Sequence, residues 1–194
     1  MDESEALLWK NLGRMLAYGY GGWWFDIWGG WFSDPKLMHI IASGQRFLER
    51  YPDEAFPAMA PKVAVIVDEK LGAMDASFGK LTGNLLRNRY ALGKIGAPYD
   101  LYLREDLDAV KAGQYKVVWY MGLLSLTDEE QSFLEEATRQ GAWMVWTDGV
   151  RSTVYQPDGE VQRMDAKIQW DAPEISELLG RAGVHRYLEG GTDV

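Results

Sequence analysis

Hydrophobic positions in the first fifty residues recur at helical spacing on either side of a short aromatic run. Leu8, Leu12 and Leu16 stand at i, i+4 and i+8, which predicts a helix over residues 4–17 with Gly19 as its stop. Further on, Ser33 or Asp34 is placed to cap a second helix with Pro35 in its first turn. Leu37, Ile40, Ile41, Phe47 and Leu48 form its apolar stripe. Between the two, residues 22–28 fit a strand, with Trp24, Asp26 and Trp28 on one face and Trp23, Phe25 and Ile27 on the other. Residues 51–61 carry Pro52, Pro57 and Pro61 and read as a linker.

Beyond the linker the pattern changes. Val63-Ala64-Val65-Ile66-Val67 is a continuous apolar run, as in a strand buried on both faces of a parallel sheet. A helix is expected from about Ala76 to Ile95, followed by strands at residues 99–103 and 116–121. Thr127-Asp128-Glu129-Glu130 is a capping-box sequence opening a helix that Gly141 closes, and Trp143-Met144-Val145-Trp146 is the next strand. Residues 153–169 suggest a hairpin around Pro157-Asp158-Gly159, and residues 173–182 a last helix. Strand and helix alternating in this way predict a doubly wound α/β domain of flavodoxin-like type over residues 62–194.

Composition narrows the partners. A net charge of −9 with no clustered Lys/Arg stripe argues against nucleic acid. The absence of cysteine removes disulfides, thiolate metal sites and cysteine nucleophiles. The two histidines, His39 and His185, are too far apart in sequence for a local metal motif. The opening Met1-Asp2-Glu3-Ser4-Glu5 is acidic where a secretory leader carries positive charge, and no apolar stretch reaches the length of a membrane span. A cytoplasmic protein is therefore expected.

Candidate chemistry lies in two places. Four of the nine tryptophans fall between residues 23 and 31, with Asp26 in their midst. Indole faces stack on the C–H faces of sugars while a carboxylate accepts from their hydroxyls, so Trp24, Asp26, Trp28 and Trp31 are candidate carbohydrate contacts. The same residue types equally furnish a core or a protein interface. In the α/β domain, ligands bind beyond the carboxyl ends of the strands, which directs attention to Asp68, Glu69, Arg104, Gly122, Asp148 and Arg151. These complete no known constellation. Gly72 and Gly79 do not form G-x-G-x-x-G, no phosphate-binding G-x-x-x-x-G-K-[ST] is present, and no cofactor is expected. Asp68-Glu69 has no phosphoacceptor aspartate at the end of the third strand, and no nucleophile elbow is visible.

The segment Trp24-Phe25-Asp26-Ile27-Trp28-Gly29-Gly30-Trp31-Phe32, the Asp34-Pro35 helix start and Val65-Ile66-Val67-Asp68-Glu69 resemble glycoside hydrolase family 42 β-galactosidases. The segments Gly96-Ala97-Pro98-Tyr99-Asp100-Leu101-Tyr102 and Ala182-Gly183-Val184-His185-Arg186-Tyr187-Leu188 resemble that family's flavodoxin-like trimerisation domain, related to class I amidotransferases. The resemblance implies that residues 1–50 correspond to the last part of a TIM barrel (helix seven, strand eight, helix eight), residues 51–61 to a linker and residues 62–194 to the trimerisation domain. It implies a retaining glycosidase whose two catalytic glutamates lie on barrel strands four and seven, which have no counterpart in this sequence.

Three functions compete on this basis. The first is a non-catalytic assembly module forming a homotrimer, with Trp119, Trp143 and Trp146 as candidate contacts if they are not core. The second is a glycosidase component in which Trp24, Asp26, Trp28 and Trp31 line a sugar subsite once a barrel-completing chain supplies the glutamates. The third is a carbohydrate-binding module using the same aromatics.

Overall fold

The computed structural model describes residues 3–18, 29, 33–50, 61–76 and 79–186, and the chain forms two compact units, Met1–Met59 and Ala60–Val194. The expected aromatic strand, with Trp24, Asp26, Trp28 and Trp31, and nearly all of the expected linker lie outside the described residues.

In the first unit, α1 (Glu3–Tyr18) packs on α2 (Pro35–Arg50). Asp34 caps α2, its Oδ1 accepting from the amides of Lys36 at 2.8 Å and Leu37 at 3.4 Å. Leu8 and Leu12 meet Leu37 and Ile40 in a small cluster. Gly44 lets the helices approach closely, since a Cβ there would stand 2.6 Å from Leu12 Cδ1. The predicted stripe is wider than the buried seam: Leu37, Ile40 and Gly44 are buried, but Phe47 and Leu48 are 40% and 47% exposed. A single neighbouring helix buries only a narrow seam of a broader apolar stripe.

The second unit is built on a six-stranded sheet: β1 (Val63–Val67), β2 (Tyr99–Leu103), β3 (Val117–Met121), β4 (Trp143–Thr147), β5 (Arg151–Tyr155) and β6 (Val161–Asp165). Their order is β2-β1-β3-β4-β5-β6, with the first four strands of that order parallel and the last two joined antiparallel. Every residue of β1 and of β3 is buried, because helices cover both faces of the central strands. On one face α4 (Lys80–Gly93) and α6 (Ala172–Arg181) bring Leu92, Ile175 and Leu179 onto Val65 and Trp119. On the other, α5 (Asp128–Arg139) and the 3₁₀ segment Arg104–Ala109 bring Leu134 and Leu107 onto Ile66 and Tyr120. The chain is therefore α/β, with the flavodoxin-like strand order at its parallel end.

Two expectations are corrected. The helix expected from Ala76 begins at Lys80, after the short α3 (Leu71–Met74), because Gly79 sits at φ +82° and cannot continue a right-handed helix. The expected hairpin at 153–169 is β5–β6, shifted to 151–165, and it is joined to β4 by a second antiparallel turn that the sequence reading omits. Asp148 makes this turn: its Oδ1 accepts from the amides of Val150 and Arg151 at 2.6 and 2.7 Å.

A buried hydroxyl relay fastens the antiparallel part to the core. Trp119 Nε1 donates to Thr147 Oγ1 (2.9 Å), which lies 3.1 Å from Ser152 Oγ, and Ser152 donates to the carbonyl of Lys167 at 2.6 Å. Trp170 Nε1 also donates to Ser152 at 3.0 Å, and its ring meets Trp119 edge-on at 5.4 Å. Trp119 is thus a core residue and not a docking contact. Trp143, half-buried, stacks under the Arg181 guanidinium at 4.9 Å, and Trp146 donates to the Leu123 carbonyl at 2.8 Å, so both are engaged within the unit.

Thr147→Val keeps the shape but strands the buried Trp119 donor, and urea denaturation should register a loss of about 1–3 kcal/mol. A second expectation concerns the Lys167–Glu174 pair, whose Nζ–Oε2 distance is 2.6 Å. The lysine hydrogen bond holds the Glu174 carboxyl below its ordinary value of 4.5. A lowered folded value stabilises above the unfolded one and is lost as pH falls through it. The stability gap between the wild type and Glu174→Gln should therefore be present at neutral pH and close as the pH falls below 4.5.

Candidate functional site: the strand ends at the topological switch point

Strand order reverses between β1 and β3, and it is beyond the carboxyl ends of such strands that doubly wound sheets hold ligands. Here that position is walled by the protein's own ions. Arg104, the residue after β2, forks onto Glu130 in α5 with Nε–Oε1 2.6 Å and Nη2–Oε2 2.7 Å. Its Nη1 donates to Asp68 Oδ2, just past β1, at 3.0 Å, and Nη2 also reaches the carbonyl of Ser125 at 2.9 Å. The Asp68 and Glu130 side chains are only 4% and 3% exposed.

Local sequence explains each position. Asp68 follows the buried run of β1 and is held by its own turn, Oδ1 accepting from the Lys70 amide at 2.9 Å. Glu130 is the third residue of α5 and completes the predicted capping box, its Oε2 accepting from the Thr127 amide at 2.7 Å while Thr127 Oγ1 accepts from the Glu130 amide. Both carboxylates are therefore engaged on both oxygens. The Glu130 hydrogen bond is the largest influence raising Arg104 further above its already high ordinary value, with Asp68 adding to it.

This arrangement suits a structural tie and not acid–base catalysis. Retaining glycoside hydrolysis needs one carboxyl to carry a proton while the other attacks. Here both oxygens of each carboxylate are already engaged by Arg104 or by a backbone amide, which leaves neither group free for either task. The surrounding cleft, about 450 Å³, is lined by further acids, including Glu69, Glu105 and Asp108. Lys70 partly offsets them through Glu105 at 2.6 Å. Among the described residues, no group of three or more histidine or acidic side chains is placed to hold a metal ion.

The other strand-end candidates separate. Gly122 and Asp148 line a small second cavity with Thr147 and Gly149. Gly122 has φ +80°, and a Cβ there would stand 3.0 Å from Leu71, so it serves close packing. Asp148 is occupied in its turn. The Arg151 side chain turns away from that aspartate and pairs with Asp165 at 3.5 Å on the surface. Of the six sequence candidates, Asp68 and Arg104 meet through their side chains, and Asp148 and Arg151 meet only within the β4–β5 turn, through the Arg151 backbone. The third partner of Asp68 and Arg104, Glu130, was legible as a helix cap but not as a member of this cluster.

No protein-family model and no curated protein matches the chain. Its structure is similar to that of a solved GH42 beta-galactosidase, with a TM-score of 0.56 at 12% sequence identity. The match covers 80% of this chain and 35% of that one, so the chain spans about a third of that enzyme. At this identity the likeness establishes a common fold. No helix among the described residues is long and apolar enough to cross a membrane.

Arg104→Met should cost about 3–5 kcal/mol at neutral pH, since it strands two buried carboxylates. Urea denaturation of the wild type and the variant at neutral pH measures that deficit.

Proposed function

We propose that this chain is a non-catalytic assembly portion of a GH42-like glycosidase, with self-association into a trimer through the α/β unit. The observation that carries this reading is the mutual engagement of Arg104, Asp68 and Glu130 in the wall of the switch-point cleft. Where related architectures admit a ligand, this unit spends its strand-end charges on tying β1, β2 and α5 together. The fold likeness supports the same reading, and its 80% coverage takes in more of the chain than Ala60–Val194 alone. The sequence resemblance assigns the α/β unit to trimerisation and the family's catalytic glutamates to barrel strands without counterpart here.

A second reading rests on the aromatic run around Asp26. Trp24, Asp26, Trp28 and Trp31 would line a sugar subsite when another chain supplies the rest of a barrel. In isolation, stacking groups without a complete pocket give little affinity.

Light scattering should give the mass of a trimer for the intact chain and for a shortened chain beginning at Pro61. A monomeric short chain beside a dimeric full chain would transfer assembly to the first unit and sink the trimerisation reading. A chromogenic β-galactoside should not be turned over. Turnover abolished by Asp26→Asn would instead make this chain a catalyst.

A further inference from the structure

Two asparagines one turn apart on α4 face inward, an unusual use of a helix's buried side. Asn84 is 6% exposed and Asn88 1%. Asn88 treats the segment between β6 and α6 as a neighbouring strand would: its Nδ2 donates to the Ile168 carbonyl at 3.1 Å and its Oδ1 accepts from the Trp170 amide at 2.8 Å. Asn84 continues the ladder by accepting from Gln169 Nε2 at 2.5 Å. Its own Nδ2 has no partner among the described residues.

A buried amide donor without an acceptor costs about 1–3 kcal/mol. Asn84 lines the small cavity at the carboxyl ends of β3 and β4, together with Leu81, Leu124, Thr147, Asp148 and Gly149. The cavity's volume is about 10 Å³, close to the room that one water molecule requires. An apolar void of that size stays dry, but this one is lined by Asn84, whose amide donor is unpaired among the described residues, and by Asp148 and Gly149 of the β4–β5 turn. We infer that the cavity binds a single ordered water that accepts from Asn84 Nδ2 and bridges α4 to the Asp148–Gly149 turn. Water would then be the resident ligand at the strand ends of β3 and β4, a position too small for a metabolite.

A crystal structure of the full chain at a resolution that shows solvent tests this directly. Density for one water within about 3.2 Å of Asn84 Nδ2 is the expected result. An empty cavity, or a protein oxygen bonded to Nδ2 in its place, would overturn it. Water-nucleus relaxation dispersion in solution should lose the signal of one long-lived water in Asn84→Leu. Gly149→Ala provides a second variant that leaves Asn84 intact, since its Cβ would press on Leu81 and Leu124 at 3.1 and 3.2 Å. It should lose the same signal, and retention of that signal in both variants would refute the site.

Discussion

The second unit depends on how it neutralises charge at the ends of its central strands. Two carboxylates, Asp68 and Glu130, are withdrawn from water beside the most buried strands of the sheet. One guanidinium answers both, and its planar fork suits the task because it can meet Glu130 with two parallel bonds while a further N–H turns to Asp68. A lysine would offer a single point of charge and could not span the two. The interaction links residues 68, 104 and 130, so three successive segments of the chain converge on one side chain. The edge strand β2 has one neighbouring strand, and Arg104 adds a second tie at its carboxyl end.

Much of this architecture was legible in residue order. The unbroken apolar run of β1 implied burial on both faces, and the Thr127–Glu130 spacing gave the start of α5 to the residue. The parts that escaped reading share a physical cause: a residue type states what it can do, not which of its uses the tertiary structure selects. Gly79 was an ordinary member of a helical window until its positive φ made it a boundary. Asp148-Gly149 carried a turn signal but was weighed as strand-end chemistry, and the aspartate is spent on the turn's own amides. Glu130 was assigned one use when a carboxylate has two oxygens. Its backbone-facing bond is local and readable, whereas its bonds to Arg104 span 26 residues.

The polar groups inside the unit follow one pattern. Hydroxyls in the Trp119–Thr147–Ser152 relay and amides in the Asn84–Asn88 ladder both end on the segment that follows β6. That segment has no regular secondary structure between residues 167 and 170, so its backbone groups cannot be paired by a sheet. Side chains from β5 and α4 pair them instead, Ser152 at the Lys167 carbonyl and Asn88 at the Ile168 carbonyl and Trp170 amide. The directional bonds give a fixed register to a stretch that apolar packing alone would leave free to slide.

Asn88 carries a consequence for the order in which the molecule is made. Its two partners lie 80 and 82 residues downstream, so the inner face of α4 is finished only once the segment after β6 has been made. During synthesis from the amino end, α4 and the first parallel strands emerge with two carboxamides facing an uncovered groove. Closing so long a loop is entropically slow compared with forming the local helix. The flank of the sheet under α4 is thus built from contacts of long sequence separation, the class of contact that slows folding most.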